Sequence, residues 1–71
     1  MTNNVYKVIE LVGSSPKGWE DAVKTVVETA STSVRDMRVA EVKELDVRLD
    51  DSGKIAEYRA KVRLSFKYEK E

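Results

Sequence analysis

The run from Ile55 to Tyr68 has the cleanest alternation in the chain. Tyr58, Ala60, Val62, Leu64, Phe66 and Tyr68 face one way, and Glu57, Arg59, Lys61, Arg63, Ser65 and Lys67 face the other. A period of two is the mark of a strand with one apolar face. That face must be buried, and the chain has only 71 residues to do it with. The rest of the sequence therefore has to supply both the sheet neighbours and the layer that covers them.

Upstream, residues 5–12 are rich in β-branched types and stop at Gly13, which predicts a first strand. Ser14, Ser15 and Pro16 punctuate, with Ser15 placed to cap a helix and Pro16 to occupy its first position. From Trp19 onward Ala22, Val23, Val26, Val27, Ala30, Val34 and Met37 recur in steps of three and four, one face of a helix. Trp19 is expected to pack on the core. Thr25, Thr29, Ser31, Thr32 and Ser33 are mediocre helix formers, so this helix depends on packing. A second strand follows from about Arg38 to Leu49. Its alternation passes from Ala40 and Val42 to Leu45, Val47 and Leu49, and that spacing of three predicts a bulge near Lys43 and Glu44. Asp50-Asp51-Ser52-Gly53-Lys54 reads as a hairpin turn with Gly53 at a positive φ.

The order is β-α-β-β, an α+β protomer. The helix returns the chain, so the second strand runs parallel to the first. The third then fits between them as a split βαβ unit, antiparallel to both. One helix covers one face of the sheet. The other face and two edges stay open, a liability for a lone subunit. Arg59, Lys61 and Arg63 on one strand, opposite Glu41, Glu44 and Asp46 on the next, offer an ion-paired face. Exposed pairs contribute only about 0–1 kcal/mol each, so self-association would need apolar burial too.

Composition narrows the function. A chain this short buries only about 60% of its unfolded surface and normally needs disulfides, a metal or partner subunits. Cysteine and histidine are both absent. That excludes disulfides, thiol catalysis and thiolate metal sites, and removes the commonest general base. What remains is oligomerisation, with room for a hard cation on oxygen ligands. Lysine plus arginine and aspartate plus glutamate number 13 each, which gives no basic excess for nucleic acid or anionic lipid. With no signal-like or membrane-spanning stretch, the expectation is one domain over 1–71, cytoplasmic, with residues 1–4 a flexible N-terminus. Ser14, Ser15 and Lys17 at a helix start would suit an anion, but they are read as ordinary capping. No enzymatic activity is expected.

Several segments together resemble the dodecins: the Val-Tyr-Lys-Val-Ile-Glu-Leu-Val-Gly-Ser-Ser opening from Val5 to Ser15, Trp19-Glu20-Asp21-Ala22, Ala40-Glu41-Val42, and Ala56-Glu57-Tyr58. The resemblance covers roughly Val5 to Tyr68. It implies a β-α-β-β protomer, a three-stranded sheet wrapped on one helix, assembling as a hollow homododecamer with ligand pockets between subunits. In that family a tryptophan stacks on flavin where this chain has Val39, and a glutamine bonds the flavin ring where it has Arg59. Stacking on such a ring contributes about 1–3 kcal/mol, which valine lacks.

Loss of the flavin tryptophan is similar to the calcium-binding branch of the family, so the resemblance implies calcium rather than flavin. The residues permit it. Ca²⁺ takes about 6–8 oxygens, and a symmetry axis multiplies one carboxylate into two or three. Glu44 and Asp46 lie near the suspected bulge and are the candidate metal ligands; Glu44 aligns with an acidic position that contacts cations in some dodecins. Asp50-Asp51-Ser52-Gly53 lacks the twelve-residue calcium-loop pattern and is read as a turn. Two other functions stay open. One is riboflavin or FMN sequestration in an altered pocket. The other is a purely structural or interaction protein with incidental ion binding.

Overall fold

The long alternating run becomes the central strand of a three-stranded sheet in the computed structural model, which describes residues 3–68. β1 is Tyr6–Ser15, α1 is Trp19–Ala30, β2 is Met37–Leu49 and β3 is Ile55–Lys67. The sheet order is β1-β3-β2, and both outer strands run antiparallel to β3. This is the split arrangement expected from the sequence. Asn3 and Asn4 are exposed and belong to no strand, while the rest of the expectation for residues 1–4 falls outside the described residues.

Alternation on β3 sorts the two faces as predicted. Ala60, Val62 and Leu64 are buried and join Ala22, Val26 and Ala30 of the helix in the core. Ile9, Val23, Val27 and Met37 pack around them. The register shifts between Val42 and Glu44, so Lys43 is the extra residue of the expected bulge. Further shifts lie between Met37 and Val39 and between Arg48 and Leu49. In the hairpin the Gly53 N–H donates to the Asp50 carbonyl at 3.0 Å, and Gly53 takes φ 82°. Asp50 Oδ1 accepts the Ser52 and Lys54 N–H groups, an aspartate turn that needs no ion.

Three expectations are corrected. β1 does not stop at Gly13 but continues to Ser15. The glycine serves close approach instead: a side chain there would meet the Ala22 carbonyl oxygen at 2.8 Å and collide with Val26. Ser15 is not the helix cap. Gly18 holds that place without a side-chain bond, while Ser15 is buried, donating to Asp21 Oδ2 at 2.6 Å and accepting the Lys17 N–H at 3.0 Å. The helix ends at Ala30, before Val34 and Met37. There the Ser31 and Thr32 hydroxyls donate to the Glu28 and Thr29 carbonyls, and Asp36 turns the chain into β2 at φ 59°.

The helix lies over β1 and β3 and barely meets β2. Val42, Leu45 and Leu49 on β2, together with Ile55, are therefore left about half exposed, at 45–55%. The molecule measures 55 × 20 × 16 Å, a long thin layer rather than a ball.

Candidate cation and ligand sites

On the face away from the helix, β3 carries its cations at every second residue, and its neighbours answer with acids. Arg63 donates to Glu10 Oε2 of β1 from Nη2 at 2.9 Å and from Nε at 3.2 Å. Lys61 lies 3.6 Å from Glu44. Arg59 grips Asp46 through two bonds, Nε to Oδ1 at 2.7 Å and Nη2 to Oδ2 at 2.9 Å. At the hairpin end the sense reverses, and Arg48 of β2 donates to Glu57 of β3 at 3.0 Å. The ladder expected from sequence is present, with one change of partner. Glu41 stands opposite Arg63 in register, yet Arg63 bonds Glu10, and Glu41 lies 3.7 Å from Lys43.

These bonds hold the acids ionised. The Arg63 guanidinium lowers the Glu10 pKa from its ordinary 4.5, chiefly by hydrogen bonding. Arg59 does the same to Asp46, and Arg48 to Glu57. Asp46 in return raises the Arg59 pKa.

Asp46 is held from a second side. The Trp19 indole N–H donates to its main-chain carbonyl at 3.0 Å. Trp19 is 40% exposed, so it is not the core residue expected; its ring meets Tyr58 edge-on, centroids 5.2 Å apart at 80°. Sequence reasoning missed this latch, because the link spans 27 residues and uses a backbone oxygen. The bulge at Lys43 was its available signal, since it sets where the Asp46 carbonyl falls.

Among the described residues no three acidic side chains converge to hold a metal ion. Calcium requires about 6–8 oxygens, so the described residues of one protomer do not furnish such a site by themselves. Glu44 is the freer of the two candidate ligands, with 69% of its side chain exposed.

The two flavin-related positions do not meet within a protomer. Val39 pairs with Ser65, and Arg59 with Asp46. Six steps along β3 separate Ser65 from Arg59, about 20 Å at 3.4 Å per residue. Val39 is 57% exposed and borders a shallow cavity of about 180 Å³ lined by Val27, Met37, Arg38, Ala40 and Leu64. Small-molecule sites usually start at about 300 Å³. A ligand touching both positions would need two copies of the chain.

A family model for dodecin matches residues 5–69. The chain belongs to the dodecin family. It is 50% identical over 64 residues to calcium dodecin from Mycobacterium tuberculosis, covering 90% of this chain and 89% of that relative. The crystal structure of that calcium-chelating protein, described as having a novel calcium-binding site, superposes with a TM-score of 0.82 at 49% identity, covering 92% of this chain and 91% of the other. Dodecin from Streptomyces coelicolor gives a TM-score of 0.91 at 34% identity over the whole of both chains. As in those dodecins, one helix rests on a three-stranded antiparallel sheet. No helix among the described residues of this dodecin is long and apolar enough to cross a membrane.

Proposed function

We propose that this chain is a calcium-binding dodecin, a non-catalytic binding and storage subunit that assembles with copies of itself into a hollow twelve-subunit shell. The observation that carries the reading is the 50% identity to calcium dodecin over nearly the whole chain. Valine at position 39, in place of a flavin-stacking aromatic, agrees with it. Glu44 is the proposed protein ligand, supplied by several copies around a symmetry axis. Asp46 joins it only where Arg59 lets go. The half-exposed Val42, Leu45 and Leu49 are the proposed apolar contribution to assembly. The proposed setting is the cytoplasm, where a cysteine-free chain loses nothing to reducing conditions.

Calorimetric titration with Ca²⁺, followed by melting in its presence, tests the ligand. A ligand specific to the folded state must stabilise it. No heat and no rise in Tm at millimolar Ca²⁺ would leave the structural-protein reading in its place. Light scattering tests the shell: the expected mass is twelve times the 8.1 kDa subunit. A purified sample that is yellow, or that quenches riboflavin fluorescence, would instead support flavin.

A further inference from the structure

The Asp46 carboxylate has both oxygens bound on the charged face, and the chain has already placed a cation on it. Arg59 uses both oxygens, at 2.7 and 2.9 Å. A planar guanidinium matches a carboxylate fork to fork, which a spherical ammonium does not. Trp19 occupies the main-chain oxygen of the same residue at 3.0 Å. All three oxygens that Asp46 has to offer a hard cation thus have a donor from this chain. Glu44 differs. Its contact with the Lys61 ammonium, at 3.6 Å, is too long for a hydrogen bond.

We propose that Arg59 is a built-in counter-cation that keeps divalent ions off Asp46 and leaves Glu44 as the accessible carboxylate of the ladder. Its relevance to storage rests on the calcium reading above; its test does not. An incoming divalent ion must displace the guanidinium or sit beside it. Displacement breaks two charge-assisted bonds. Sitting beside it sets a double positive charge against a single one at roughly 6 Å, which in a water-like dielectric weakens binding by about tenfold. The same latch that holds Asp46 also supplies a reporter. Trp19 is the only tryptophan in the chain and touches the Asp46 backbone, so a luminescent lanthanide on Asp46 would be excited through it.

The experiment titrates the full chain with Tb³⁺ under tryptophan excitation, alongside Ca²⁺ calorimetry. Parent, Arg59→Gln, Arg59→Lys and Arg59→Gln/Asp46→Asn are compared. Arg59→Gln is expected to tighten sensitised terbium binding by about tenfold or more. Arg59→Lys, which keeps the charge and loses the fork, should fall between parent and Arg59→Gln. Asp46→Asn should abolish the gain. An unchanged affinity in Arg59→Gln, or a gain that survives the loss of Asp46, overturns the proposal. The two readings fail separately. Absent calcium heat in the parent, with a terbium gain in Arg59→Gln, sinks calcium storage and upholds the counter-cation. Calcium heat in the parent, with terbium affinity unchanged in Arg59→Gln, does the reverse.

Discussion

Replacing Gly13 by alanine places one methyl group where the helix lies closest to the sheet. That carbon would sit 2.8 Å from the Ala22 carbonyl oxygen and collide with Val26. Ordinary carbon–oxygen contacts start near 3.3 Å, so the helix must retreat by about 0.5 Å at this point. A backbone oxygen cannot swing aside as a side chain would. The retreat loosens Ala22 and Val26, which are 0% and 4% exposed and are two of the helix's three buried core residues. Overpacking of this kind costs about 1–3 kcal/mol. Alanine returns about 0.4–1 kcal/mol by stiffening the unfolded chain. The net expectation is a loss of roughly 1–2 kcal/mol, from a total that for a domain of this size is about 4–11 kcal/mol. For a domain of this length that lowers Tm by about 4–16 °C. Thermal and urea unfolding at matched protein concentration read it, since the proposed assembly would make stability concentration-dependent. In the double variant Gly13→Ala with Val26→Ala the two costs should fall short of additive, because the smaller side chain removes one of the two clashes. Gly13→Ala melting at or above the parent would refute the close-approach argument.

Three further outcomes are expected. Val39→Trp should raise flavin affinity, by about 5- to 150-fold if the new ring contributes 1–3 kcal/mol of stacking; riboflavin quenching reads it. If Val39→Trp combined with Arg59→Gln still fails to quench, the assignment of these two positions to one pocket is mistaken. Ser15→Ala strips the Lys17 N–H of its acceptor and Asp21 of its donor at a buried point, and should cost about 1–3 kcal/mol in urea unfolding; a shift under 0.5 kcal/mol would contradict that. Acid should weaken the fold in a defined window. Glu10, Asp46, Asp50 and Glu57 have folded pKa values lowered from 4.5 or 3.8, so their contribution is present above those values and fades as pH falls through the lowered ones. With no histidine, Tm should be nearly flat from pH 6 to 8 and decline below about pH 4, less steeply in high salt. A transition near pH 6 would point to a titrating group outside this account.

The parts of the fold legible in sequence were those written as periodicity. β3 alternates, so its faces and its central place follow once the chain offers two flanking strands and one helix. The spacing of three between Val42 and Leu45 predicted a bulge near Lys43 and Glu44; the structure puts it at Lys43, and with it pairs Arg59 with Asp46 and Lys61 with Glu44. A one-residue error there would have turned every later side chain to the other face. What could not be read depended on competition between equal local patterns. Val34 and Met37 continue the helical spacing, yet the helix stops because serine and threonine hydroxyls turn back on its last carbonyls. Ser15 carries the look of a cap, but the strand claims it and buries it. Trp19 is apolar enough for a core, and the place it takes, against Tyr58 and the Asp46 carbonyl, is set by the crossing of helix and sheet.

Placement of that helix decides what a single subunit can do. Covering β1 and β3 closes a core of six small or branched residues and leaves β2 bare on the same face. Val42, Leu45 and Leu49 then stand in water, while on the opposite face Glu10 and Asp46 are already matched by this chain's own cations. Charge therefore gives an isolated protomer little with which to capture an ion, and the 180 Å³ hollow beside Val39 is too small to enclose a flavin. The same geometry suits a subunit of something larger. In the proposed shell, bare apolar strands would supply the contact area that matched surface ion pairs cannot. Copies brought together around an axis would also multiply Glu44. On the proposed function, ligand affinity is a property of contacts between chains, and a substitution that charges the apolar positions of β2 should act on binding through assembly before it acts on any ligand.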